Sequence, residues 1–178
     1  VKPDHLNTEF QAVIAKIYGY ASETTAYGIT QLASTNLLRV AAYPEGINET
    51  EWRNSQIKTS ITGSDLVDGD WHHVAYVVDL DSGPNGMLSS YLDGQLYASQ
   101  SLPDTWTDLR QNDHNLAIGG QPGVDMRNWS GSLDEIRIWD IARSESEIAN
   151  NYYTHLNGSE EGLAFYLNFE GEQPYVDK

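Results

Sequence analysis

Cysteine is absent from the 178 residues, which excludes disulfides, thiolate metal sites and a cysteine nucleophile. Stability must come from core burial or from a bound cation. Basic side chains are scarce: Lys and Arg number 10 against 26 Asp and Glu, for a formal net charge of −16. Such a chain repels phosphate backbones and anionic lipid, so nucleic-acid binding and electrostatic membrane docking are excluded. Salt or calcium in the surroundings would relieve its self-repulsion. Long apolar runs are missing too. Nothing approaches the roughly 18–20 residues that span a bilayer, and Val1-Lys2-Pro3-Asp4 lacks the apolar stretch of a secretion signal, so a secreted form would be a trimmed one.

What is present is enough for one folded domain over residues 1–178: 39% of residues are hydrophobic, and Gly and Pro are scattered evenly rather than massed in linkers. The dominant period is two, the spacing of half-buried strands. Phe10, Ala12 and Ile14 alternate with Gln11, Val13 and Ala15, and Tyr27 to Leu32 and Leu37 to Ala42 read as two further strands. Trp71 to Asp79 reads as a long strand, followed by the turn cluster Asp81 to Gly86. Met87 to Leu92, Asp93-Gly94 and Gln95 to Ala98 form a hairpin, because Asp-Gly suits a two-residue turn with both φ angles positive. Leu116 to Gly120, Gly131 to Asp140 and Leu163 to Phe169 complete the strands, and in the last of these Leu163, Phe165, Leu167 and Phe169 share a face. One segment reads as helix. Ser144-Glu145-Ser146-Glu147 is a capping box, with Ile148, Tyr152 and His155 on one side. Crossover helices between strands are lacking, so the expected fold is all-β, an antiparallel two-sheet β-sandwich with one short late helix.

Several strings then resemble a known family. Asp68-Gly69-Asp70-Trp71-His72-His73-Val74-Ala75, Tyr91-Leu92-Asp93-Gly94, Leu116 to Gly120, Gly131 to Trp139 and Ala142-Arg143-Ser144 stand in the order and at the spacing of laminin-G-like, concanavalin-A-like jelly rolls, a group that includes the pentraxins. The resemblance covers nearly the whole chain. It implies a jelly roll of two sheets and an extracellular or cell-surface recognition module that binds carbohydrate or a surface partner, alongside neighbouring domains of a larger protein. Val1 to Asp4 resembles the end of an early strand of that fold. The expectation is therefore a piece of a longer chain, or a tail from Leu163 to Phe169 that replaces a strand.

An enzyme of this fold needs paired carboxylates. Retaining glucanases place Glu-x-Asp-x-x-Glu on one strand so that alternation aims all three into one cleft. No Glu-x-Asp occurs, and Asp134 and Asp140 are separated by Ile136 and Ile138, which suits packing. Gly-x-Ser-x-Gly, His-Glu-x-x-His and phosphate-cradling glycine loops are also lacking. The expectation is a non-enzymatic protein, with a structural spacer domain as the alternative and a polysaccharide-acting enzyme behind both.

Calcium is the expected cofactor, because hard oxygen donors are abundant in the loops. The loop from Gly120 to Asn128 occupies the place where pentraxins bind paired calcium ions, but it represents their donors only in part, by Gln121, Asp125 and Asn128. Asp134 is a further candidate, in phase with Ile136 and Ile138, although a hydrogen-bonding role suits it better. Asp79 to Asn85 spaces oxygen donors alternately yet reads as a hairpin tip. His72 and His73 are adjacent on a strand and cannot chelate one ion together; a hydrogen-bonded core histidine beside Trp71 is the expectation. Sugars stack their CH faces on aromatic planes while amides and carboxylates take the hydroxyls. Trp52, Trp106, Trp129 and Tyr43 sit among polar residues in loops and are the candidate ligand contacts, whereas Trp71 and Trp139 fall in strands and read as packing residues.

Overall fold

The computed structural model describes residues 1–4, 10–16, 26–32, 37–45, 60–104, 106–121, 127–171 and 176–177. Five strands make one sheet: β2 (Gln11–Lys16), β3 (Tyr27–Leu32), β4 (Leu37–Ala42), β5 (Ser60–Thr62) and β9 (Ala117–Ile118), in the order β5-β4-β3-β2-β9. Facing it is β6 (Val74–Asp79), β7 (Met87–Leu92) and β8 (Gln95–Ser101) in a meander. Every strand pairing is antiparallel. Two smaller sheets pair β1 (Lys2–Pro3) with β10 (Gly131–Ser132), and β11 (Ile136–Trp139) with β12 (Leu163–Leu167) and β13 (Val176–Asp177). The single α-helix among the described residues is α1 (Glu145–Asn151), with one 3₁₀ turn at Gly63–Asp65.

Alternation along the strands sends apolar side chains into the space between the two larger sheets. Val40 and Ala42 of β4 meet Leu88 of β7, with Leu102 and Trp106 closing one end and Tyr76 and Val78 of β6 packed alongside. Val13, Leu38 and Ile61 meet Leu66 and Trp129 at the other end, with Val74 and Leu92 against them. Interior strand β2 is buried from Gln11 through Ala15, so small residues fill positions that a two-faced strand would give to polar ones. Its register slips between Ala12 and Ile14, a bulge that lets Val13 enter the core.

Three expectations are corrected. The strand expected from Gly131 to Asp140 is two strands, because Glu135 adopts φ 53° and breaks the alternation. The strand expected from Trp71 begins only at Val74: His72 exchanges backbone hydrogen bonds with Val1 at 2.6 and 2.8 Å, and the Asp93 carboxylate takes the His73 N–H at 2.9 Å. In β12, a register shift between Ile138 and Trp139 puts Leu163 on the face of Tyr166 rather than with Phe165 and Leu167, and these two are its most buried side chains, while Phe169 lies beyond the strand at φ 56° and is exposed. Strand β12 pairs with β11 and β13.

Candidate functional site

Of the four aromatic candidates, three are core residues. Trp106 is 6% exposed, Trp129 9% and Tyr43 4%. Sandwich ends need large plugs, and these rings supply them, so none offers a free face to a ligand. Trp52 lies outside the described residues. Among the described residues the exposed indole is instead Trp71, 51% accessible, which corrects the reading of that residue as packing. Trp139 does sit in a strand, and the Arg143 guanidinium covers it 4.4 Å from the ring centroid.

The segment around Trp71 is held by carboxylates. The Asp93-Gly94 turn has both φ angles positive, 48° and 77°, as its sequence predicts. That conformation folds the Asp93 side chain back, where Oδ1 accepts from the His73 N–H at 2.9 Å and Oδ2 lies 2.9 Å from His72 Nδ1. On the other side of the imidazole, Nε2 lies 3.1 Å from Asp68 Oδ1, which also accepts from the Asp70 N–H at 2.8 Å. Burial lowers the His72 pKa, but the hydrogen bonds and charges of Asp93 and Asp68 outweigh it and raise the net value. The Asp70 N–H and His72 together hold the Asp68 carboxyl below its ordinary range.

His73 turns to a different environment. Its ring packs 5.8 Å from that of Tyr152, just beyond α1, and burial followed by the Arg137 charge lowers its pKa to about 4. Tyr152 in turn meets Tyr153 edge-on at 4.9 Å, and Tyr153 is largely exposed. One end of the protein thus gathers Trp71, three aspartates, His72 and an exposed tyrosine.

A second polar cluster is structural. Glu135 accepts from Arg137 Nη2 at 2.7 Å, lies 2.7 Å from His155 Nδ1, and accepts from the Tyr166 hydroxyl at 2.8 Å. Arg137 also donates to the carbonyls of Asn151 and Thr154, tying β11 to the segment after α1. Burial would raise the Glu135 pKa, but Arg137, His155 and Tyr166 hold it low on balance. His155 lies past the helix rather than on its face, and its task is to meet Glu135. The signal for this cluster was Glu135-x-Arg137-x-Trp139 alternation, and for the first cluster Asp68-x-x-x-His72 with the Asp93 turn; sequence reasoning passed over both.

The calcium candidates do not come together. Gln121 is buried, and its Oε1 accepts from Arg127 Nη1 at 2.8 Å, a partner whose charge opposes a cation. Asn128 is exposed against Gly120. Asp134 is half-buried, and its Oδ1 accepts from the Glu135 N–H at 2.8 Å, the hydrogen-bonding role expected of it. Asp125 lies outside the described residues, and among the described residues no group of three His, Asp or Glu could hold a metal.

Two facing antiparallel sheets with a shared apolar core define a lectin-type sandwich. The chain belongs to the concanavalin A-like lectin/glucanases superfamily, whose Laminin G 3 family pattern matches residues 1–149. Among solved structures, a Bacteroides ovatus protein provisionally described as carbohydrate binding aligns with a TM-score of 0.68 at 19% identity, over 96% of this chain and 43% of that one. At that identity the likeness is one of fold, and this chain spans less than half of the neighbour's length. No curated protein matches the chain. No helix among the described residues is long and apolar enough to cross a membrane.

Proposed function

We propose that this domain is a non-enzymatic carbohydrate-binding module of an extracellular or cell-surface protein, and that the Trp71 end is its sugar-contacting surface. The half-exposed indole of Trp71 carries the reading, on the segment that bears Asp68 and Asp70 and next to His72, whose ring meets Asp93. Exposing a Trp face to water is unfavourable, and a pyranose CH face covers it while carboxylates accept the flanking hydroxyls. Neutral and amino sugars fit; sulfated or uronic glycans would meet like charge. A glycosidase of this fold would carry Glu-x-Asp-x-x-Glu on one strand, and no Glu-x-Asp occurs in the sequence.

Single-site affinity will be weak, with avidity supplied by attachment to a larger protein. The test is a glycan array with the wild type and Trp71→Ala, followed by titration of any hit. Removing a central aromatic anchor is expected to weaken binding by about tenfold or more. Equal binding by both proteins would overturn the Trp71 assignment. No retained glycan at all would favour the spacer reading, which the burial of Trp106, Trp129 and Tyr43 also suits.

A further inference from the structure

We propose that His72 is a proton-operated latch on the Trp71 surface: as imidazolium it bonds Asp68 and Asp93 at once, and as neutral imidazole it releases one of them. For the effect on ligand, the proposal rests on the carbohydrate reading above; the latch itself does not. Both ring nitrogens face carboxylate oxygens, Nδ1 at 2.9 Å from Asp93 and Nε2 at 3.1 Å from Asp68. Ionised carboxylates only accept hydrogen bonds, and a neutral imidazole has one N–H. Both contacts are therefore made only when the ring carries two protons. On deprotonation, one nitrogen turns a lone pair toward a carboxylate lone pair, and that arm opens.

Asp68 is the arm that opens. Its contact is the longer, its side chain is the more exposed (51% against 44%), and its carboxylate keeps a backbone partner in the Asp70 N–H. Asp93 is fixed by the hairpin and by the His73 N–H. Asp68, Trp71 and His72 share one short segment, so opening of the Asp68 arm is transmitted through that backbone to the exposed indole. The charged and titratable groups around the ring are Asp68, Asp70 and Asp93, the amino group of Val1 paired through its backbone to His72, and His73, which faces Tyr152 and is neutral above pH of about 4. The acids dominate, and the raised affinity of His72 for its proton agrees with the geometry. The sign follows: the latched form is complete below the ordinary histidine value of 6.5 and is lost as pH rises through the higher folded value.

NMR of the whole chain reads this directly, by following the imidazole signals of His72 and the indole N–H of Trp71 from pH 5 to 9. The two should move together, with a His72 midpoint above 6.5 that falls in Asp68→Asn and in Asp93→Asn. Asp68→Asn alters an exposed loop residue and keeps the variant set interpretable if the turn variant unfolds. A His72 midpoint at or below 6.5, or a Trp71 signal that stays still through the transition, overturns the latch. Glycan affinity should weaken severalfold across the same transition and lose its pH dependence in His72→Gln. If the ligand-free signals couple but no glycan binds, the latch stands and the carbohydrate reading fails; if glycan binds with no pH dependence, the reverse holds.

Discussion

His72 and His73 are neighbours in the chain that titrate in opposite directions. His73 loses hydration on folding and meets no carboxylate through its ring, so folding favours its neutral form. A base with a depressed folded pKa adds stability above its unfolded value and loses it as pH falls. The window here runs from 6.5 down to about 4, and the loss at its lower end is roughly 3 kcal/mol. Urea unfolding at stepped pH should show this slope, and His73→Leu should flatten it. Glu135 follows the carboxylate pattern: its stabilisation is present above its ordinary value of 4.5 and is lost as pH falls through the lower folded one. Arg137→Met leaves Glu135 without its cation and two carbonyls without donors, so a cost of about 2–4 kcal/mol is expected in the same unfolding assay. These clusters were not legible in the sequence, because each joins residues twenty or more positions apart whose meeting depends on a turn. Trp71 was misplaced for the same reason. Its period-two context predicts a strand, and only the pairing of His72 with Val1 and of His73 with Asp93 shows where the strand stops.

Elements set by local chemistry were legible almost to the residue. Strands β3, β4 and β7 begin and end where alternation and turn residues predict, and Ser144 caps α1 with Glu147 reaching back to its N–H at 2.8 Å. Ser144→Ala should cost about 1 kcal/mol. Elements that depend on a single unusual φ were not legible, as the break at Glu135 shows. The Asp93-Gly94 turn joins the local and the long-range. Its glycine is needed for φ 77°, and also because a Cβ there would lie 2.5 Å from Tyr152 Cδ1. Gly94→Ala should therefore destabilise by about 2 kcal/mol or more, beyond the 1–2 expected of backbone strain alone. Thermal unfolding of Gly94→Ala beside Gly94→Asn separates the two, since Asn relieves the strain but keeps the clash. Equal stability of Gly94→Ala and the wild type would contradict the contact with Tyr152.

A net charge of −16 acts on the molecule as a whole. Self-repulsion opposes compaction and is screened over about 10 Å at 0.1 M salt, so Tm should rise with sodium chloride. Calcium should add nothing beyond ionic strength, because Gln121 is committed to Arg127 and Asp134 to the Glu135 N–H. A Tm that climbs with calcium and falls with chelator at constant ionic strength would show an ion favouring the native state. The sandwich was legible because it follows from period and turns; the ligand-facing end was not, because exposure of an aromatic ring is decided by which loop covers it. Five tryptophans make the central claim directly observable. An indole N–H spectrum recorded during titration with a bound neutral glycan should show the Trp71 resonance shifting while those of buried Trp106 and Trp129 hold still. Movement of Trp106 or Trp129 with a stationary Trp71 would contradict the account.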